Sequence, residues 1–170
     1  TLDLSNFSKV TNGEGMFRQC YSLKNLDLTK MTSLVDASNI FLDCTTLETL
    51  STKGLSSVPD IDGLFSGCTS LKTIDLSSIG YTTDVTTVGN AFKGCTKLHK
   101  LLNVSKSVLS LINSTTFPDA KIKYMSVAKG STQTECDEII VLAKKAVAYD
   151  IAKETPFYLY QPKFSSDTVN

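Results

Sequence analysis

The 170-residue sequence contains no tryptophan, a single histidine and only four prolines. Without Trp, the strongest of the aromatic anchors that tighten a binding surface is missing, which points to weak contacts multiplied by avidity. Because His99 is the one imidazole, nucleophilic chemistry based on a Cys–His pair has a single possible centre and no visible third orienting group. Charge of either sign is also not in excess, since 17 basic residues balance 17 acidic ones. Such a chain has no net field to attract nucleic acid or an anionic membrane. No apolar run approaches the roughly 20 residues that span a bilayer, and no basic-then-apolar leader opens the sequence. H-E-x-x-H, G-x-S-x-G and Gly-rich phosphate cradles are absent. These gaps argue against nucleic-acid binding, membrane insertion within this chain and the common hydrolase chemistries.

What is present is a repeat. The phrase F-x-x-C-x-x-L-x-x-L/I occurs at Phe17-Cys20-Leu23-Leu26, Phe41-Cys44-Leu47-Leu50, Phe65-Cys68-Leu71-Ile74 and Phe92-Cys95-Leu98-Leu101, with Phe spacings of 24, 24 and 27 residues. That period lies in the range of leucine-rich solenoids and is too short for two-helix repeats. Leu2 and Leu4 match Leu26 and Leu28 one period later, so the chain opens inside a repeat and reads as a fragment or processed form. Leu26-Asp27-Leu28 and Ile74-Asp75-Leu76 alternate apolar and polar residues. This is the pattern of a strand with one buried face, and it predicts a parallel sheet with one strand per coil. Leu50-Ser51-Thr52 lacks the final apolar residue and is the weak member.

Met16-Phe17 and Ala91-Phe92 are expected to open short helical turns, after which Gly67, Gly94 and the following Thr69 or Thr96 turn the chain back. Cys20, Cys44, Cys68 and Cys95 share one phase of the repeat, which predicts a column of free, buried thiols. A zinc site would need a tetrahedron, whereas these cysteines form a line with only His99 to assist. The three extra residues of the third period fall near Gly80-Tyr81-Thr82-Thr83 and predict a bulge on the connecting side. A degraded coil follows at Phe117, with Ala120 in place of Cys and a last strand around Ile122, Tyr124 and Val127.

From about Lys129 the repeat disappears. Ser131 and Thr134 are helix-cap residues, and Ile139, Leu142, Ala143, Ala146 and Val147 mark one apolar helical face to about Lys153. Phe157-Tyr158-Leu159-Tyr160 then reads as a strand before a polar tail. The expected organisation is a solenoid over residues 1–128 and a C-terminal helix and strand over 129–170, acting as a cap or a docking segment. The fold class is an α/β repeat.

The recurrent A/M/L-F-x-x-C-x-x-L-x-x-L/I-x-L phrase, as in Met16-Phe17-Arg18-Gln19-Cys20, Leu64-Phe65-Ser66-Gly67-Cys68 and Ala91-Phe92-Lys93-Gly94-Cys95, resembles the BspA-like leucine-rich-repeat family of surface proteins. The resemblance covers residues 1–128 and implies a right-handed solenoid displayed on bacterial or protozoan cell surfaces, with adhesion or recognition as its role. It carries no catalytic residues and no cofactor, because the family phrase consists of packing positions.

Function is therefore expected on the outward strand face. Asp3, Asp27, Ser51 and Asp75 share one phase, and Asn25, Thr49 and Thr73 share another, continued by Lys100. Together with Thr29, Lys53 and Ser77 they form a polar, hydroxyl-rich strip suited to a glycan or an extended protein segment. The carboxylates do not predict calcium, since a line interrupted by Ser51 does not wrap an ion that takes six to eight oxygens. The leading expectation is a non-enzymatic recognition or adhesion module, secreted or on a cell surface, that binds a protein or glycan partner. The alternative is a structural or assembly subunit of a virion or surface fibre that self-assembles through residues 129–170.

Overall fold

The Phe-x-x-Cys phrase folds as consecutive tight turns. In the computed structural model, which describes residues 2–79, 85–111, 122, 124–127 and 158–160, the Cys20 N–H donates to the Phe17 carbonyl at 3.2 Å and the Leu23 N–H to the Cys20 carbonyl at 3.0 Å. The same bonds recur at Cys44, Cys68 and Cys95. The short helical turns expected at Met16-Phe17 and Ala91-Phe92 do not form, for a backbone reason. The residue two places after each Phe is left-handed: Gln19 at φ 58°, Asp43 at 61°, Gly67 at 76° and Gly94 at 74°. A right-handed helix cannot pass through such a residue, so the chain reverses there instead. Glycine adopts this conformation without steric cost. Gln19 and Asp43 adopt it too, and each donates its N–H to a carbonyl of the following coil, Leu42 and Ser66, at 2.8 Å.

Each turn is laddered to its neighbour. The Phe17 N–H donates to the Ile40 carbonyl at 3.0 Å, that of Phe41 to Leu64 at 3.2 Å and that of Phe65 to Ala91 at 2.9 Å. Behind this ladder the four Phe rings stack face to face, with centroids 5.7, 6.0 and 5.8 Å apart. All four are buried, together with Leu28, Leu34, Ile40, Leu47, Leu64 and Leu71 in one continuous core. Burial of each ring contributes roughly 1.5 to 3 kcal/mol, and each stacked pair adds about 0.5 to 1.5 kcal/mol.

On the other side of the coils lie the short strands β1 (Asn25–Asp27), β2 (Thr49–Ser51), β3 (Thr73–Asp75), β4 (Lys100–Val104), β5 (Tyr124–Val127) and β6 (Tyr158–Tyr160). All pairs are parallel, with Leu26 opposite Leu50 and Ile74 opposite Leu101. The sheet is not one continuous column, however. It divides into β1-β2 and β3-β4-β5-β6.

The division falls at the coil that lacked its last apolar residue. Leu28 donates its N–H to the Ser51 carbonyl at 3.4 Å and Leu76 donates to Leu102 at 2.8 Å, which extends the ladder past the strands. Thr52 takes the place of Leu28 and Leu76, is only 4% exposed, and donates its hydroxyl to the Asp75 carbonyl at 2.7 Å. A side-chain donor thus occupies the acceptor that a backbone N–H takes elsewhere. The chain then enters a 3-10 turn, Lys53–Leu55. A Cβ on Gly54 would lie 2.2 Å from the Leu28 carbonyl oxygen. Only glycine lets the two coils approach so closely.

At β4 an extra residue, Asn103 with φ 54°, shifts the register between Leu101 and Val104. Val104 thereby reaches the buried position that Leu28 and Leu76 hold. A short helix, α1 (Lys106–Leu111), follows and buries Val108 and Leu109. Ser105 starts it, accepting the Val108 N–H on its hydroxyl at 3.4 Å and the Leu109 N–H on its carbonyl at 2.9 Å. The expected last strand near Tyr124 is β5, and the expected Phe157–Tyr160 strand appears as β6, paired with β5. The helix expected within 129–153, the bulge at 80–83 and the turn at Phe117 lie outside the described residues.

Candidate functional site: the outward strand face

Strand alternation decides which residues face out. Leu26, Ile74 and Leu101 are buried, so the flanking positions Asn25 and Asp27, Thr49 and Ser51, and Thr73 and Asp75 lie on the opposite face. Asn25, Asp27 and Thr49 are exposed, whereas Ser51, Thr73 and Asp75 are half-buried. The fold brings the first two strands' residues into direct contact. Thr49 stands opposite Asn25 and donates its hydroxyl to the Asn25 side-chain oxygen, while the Thr29 hydroxyl reaches Asp27 and lies 3.4 Å from that of Ser51. Across the break between β2 and β3 there is no strand pairing. Thr73 instead stands opposite Lys100, and Asp75 opposite Leu102. Asp3 is exposed and lies outside any described strand.

The carboxylates do local structural work. Asp3 Oδ1 accepts the Ser5 N–H at 2.9 Å, Asp27 Oδ1 the Thr29 N–H at 2.9 Å and Asp75 Oδ1 the Ser77 N–H at 2.9 Å. Each closes a turn as the chain leaves the strand position. The same device recurs on the return run, where Asn12, Asp36 and Asp60 accept the N–H groups of Glu14, Ser38 and Asp62. The Asp-x-Ser/Thr spacing was the sequence signal for this role. Bonds from the Thr29 hydroxyl and N–H hold the Asp27 carboxyl below its ordinary value. Burial opposes the charge at Asp75, but donation from Asn103, at 3.0 Å, and from Ser77 outweighs it and leaves that carboxyl lowered too. At Asp3 the Ser5 N–H has the same effect. These groups stay ionised at neutral pH.

The cysteine column faces the interior. Cys44 Sγ donates to the Phe17 carbonyl at 2.9 Å, Cys68 to Phe41 at 3.3 Å and Cys95 to Phe65 at 3.1 Å. Each thiol thus bridges to the preceding coil, which explains why a small residue with a weak donor fills this phase. Burial pushes the Cys44 thiol up to about 11 and raises Cys68 as well, so neither is poised as a nucleophile. Cys20 departs from the expected burial and is half-exposed. His99 is half-buried, with Nδ1 3.0 Å from the Lys97 carbonyl.

An open hollow of about 300 Å³, lined by Ser22, Leu23, Lys24 and Asn25, adjoins the start of β1. Among the described residues no group of three or more His, Cys, Asp or Glu side chains is arranged to hold a metal ion.

A buried ladder of equivalent residues, with variable polar residues on the strand side, defines a leucine-rich solenoid. The BspA type leucine-rich repeat region matches residues 10–137 in six copies, and the chain belongs to that family. The match continues beyond residue 128, the expected end of the solenoid. No curated protein and no solved structure matches the chain. The family is a non-enzymatic class of repeat proteins, typically associated with surfaces. Among the described residues no helix is long and apolar enough to cross a membrane.

Proposed function

We propose that this chain is a recognition or adhesion module, secreted or held at a cell surface, that binds a protein or glycan through the outward face of β1 to β3. The observation that carries this reading is the division of labour within each coil. The Phe, Cys and Leu positions are taken up by the interior, fully or, at Cys20, Leu23 and Leu50, in part, whereas the phase of Asn25, Thr49, Thr73 and Lys100 carries an amide, two hydroxyls and an amine on the other side. The solenoid is right-handed in this reading, and residues 129–170 form its C-terminal cap. Asp3, Asp27, Ser51 and Asp75 contribute to the face chiefly by fixing its turns and hydrogen bonds.

The test is retention of the labelled chain on an array of immobilised glycans and extracellular proteins, with Asn25, Thr49 and Thr73 replaced together by Arg. Loss of the wild-type signals with an unchanged melting temperature supports the strand face. Signals that survive the triple replacement place binding elsewhere.

One observation favours the assembly reading as a second possibility: β6, from the C-terminal segment, ends the strand order of the larger sheet. Sedimentation of the full chain and of a chain ending at residue 128 separates the two. Self-association lost on truncation, with array signals kept by both chains, would assign assembly to residues 129–170 and recognition to the face.

A further inference from the structure

The balanced charge of the chain conceals a separation that only the coil geometry reveals. The strand side of each coil runs from its Cys through the strand to the residues just after it, within 20–33, 44–57, 68–79 and 95–108. Its bases are Lys24, Lys30, Lys53 and Lys72, continued by Lys97, Lys100 and Lys106 in the last coil. Its acids are Asp27, Glu48 and Asp75. The return side, within 10–19, 34–43, 58–67 and 85–94, shows the opposite balance. There Glu14, Asp36, Asp43, Asp60 and Asp62 face only Arg18 and Lys93. The two sides are separated by the buried core. Within these coils the strand side is basic, with seven bases against three acids, and the return side acidic, with two bases against five acids.

Stacking makes the strand side act as a unit. Neighbouring coils lie about 4.8 Å apart, less than the Debye length of about 8 Å at physiological salt, so lysines on successive coils add their fields. Lys24 and Lys72 occupy one phase of the repeat with Glu48 between them, and Lys30 and Lys53 follow their strands. Lys24, Lys30, Lys53 and Lys72 are all exposed. Between these rows run the amide and hydroxyl groups of Asn25, Thr49 and Thr73, and the hollow beside β1 is bounded by Lys24 and Asn25.

We propose that the strand face takes an acidic polysaccharide, with the flanking lysines meeting its carboxylate or sulfate groups and the central strip hydrogen-bonding its hydroxyls. This deepens the recognition reading above and rests on it. Nucleic acid offers the same charge, but a single-stranded one needs aromatic platforms for its bases. The strand side of the four coils carries no aromatic residue except Tyr21. A strip of hydroxyls and one amide matches sugar better than base.

The probes are polygalacturonate and chondroitin sulfate, with neutral dextran as the uncharged control and an oligothymidylate as a competing polyanion. Wild-type chain is expected to be retained by both acidic polymers and not by dextran, and oligothymidylate should not displace it. Lys24→Gln, Lys53→Gln and Lys72→Gln together should weaken retention by about tenfold or more, whereas Arg18→Gln with Lys93→Gln on the return side should leave it unchanged. Matching circular dichroism melts confirm that both variants fold. Failure of both acidic polymers to bind overturns the proposal, as does equal loss in the return-side variant or displacement by oligothymidylate. Protein or neutral-glycan signals on the array that vanish with the Asn25, Thr49 and Thr73 replacement would then leave the recognition reading standing while the acidic ligand falls.

Discussion

Between the second and third Phe-Cys coils, the Phe41 and Phe65 rings stack at 6.0 Å and the Phe41 N–H donates to the Leu64 carbonyl. Across the same two coils on the strand side, Thr49–Ser51 and Thr73–Asp75 do not pair. One side continues and the other is interrupted within a single stack. The difference lies in what each side asks of its residues. The Phe-Cys side is specified by large buried groups that are identical in all four coils, so each coil repeats the geometry of the last. The strand side is held by short segments whose last inward position is decided locally. Where that position is Leu the backbone ladder extends, and where it is Thr52 the hydroxyl takes the carbonyl instead. A solenoid can thus keep its stack while varying its strand face.

The most damaging change to the continuous side is Phe65→Ala, which removes a fully buried ring from between two stacked neighbours. It should cost roughly 3 to 5 kcal/mol in chemical denaturation, with loss of a single cooperative transition. A neutral result would mean that the Phe column does not hold the coils together.

Gly54→Ala addresses the interrupted side. The added methyl meets the Leu28 carbonyl, so the two coils must separate there, at a cost of about 1 to 3 kcal/mol. Protection of the Phe17 and Phe41 amides from hydrogen exchange should persist in this variant, since the opposite ladder is untouched. Equal loss of protection on both sides would show that the two are not separately specified.

Acid should act on the turns of the strand side with a smaller effect. Asp27 and Asp75 titrate below 3.8 in the fold, so their contribution is complete above that value and is lost as the pH falls through their lowered native values. Denaturation midpoints followed from about pH 6 to about pH 2.5 should fall less steeply in the Asp27→Asn, Asp75→Asn double variant than in the wild type. Parallel curves would remove these carboxylates from the account.

The phase of Phe17, Cys20 and Leu26 was legible because a buried position tolerates few residues and therefore repeats visibly. The left-handed turns were legible only at Gly67 and Gly94; Gln19 and Asp43 adopt the same backbone without a residue that announces it. Thr52 read as a weak strand position, while its actual role depends on a carbonyl contributed by the next coil. The bulge at Asn103 was hidden because Leu101-Leu102-Asn103-Val104 offers two apolar choices for one inward position. At the candidate site, the outward phase of Asp27 and Asp75 was correctly read, but their turn-closing role was not. Lysines scattered along the sequence gather on one side only once each is assigned to a coil.

Hydrogen exchange at three amides tests most directly the claim that the strand ladder stops while the Phe ladder continues. The Leu76 N–H donates to Leu102 at 2.8 Å and the Phe41 N–H to Leu64 at 3.2 Å, whereas the Thr52 N–H makes no backbone bond among the described residues. Slow exchange at Leu76 and Phe41 with distinctly faster exchange at Thr52 is the predicted result. Protection of Thr52 equal to that of Leu76 would contradict it, because the ladder would then run through the whole stack.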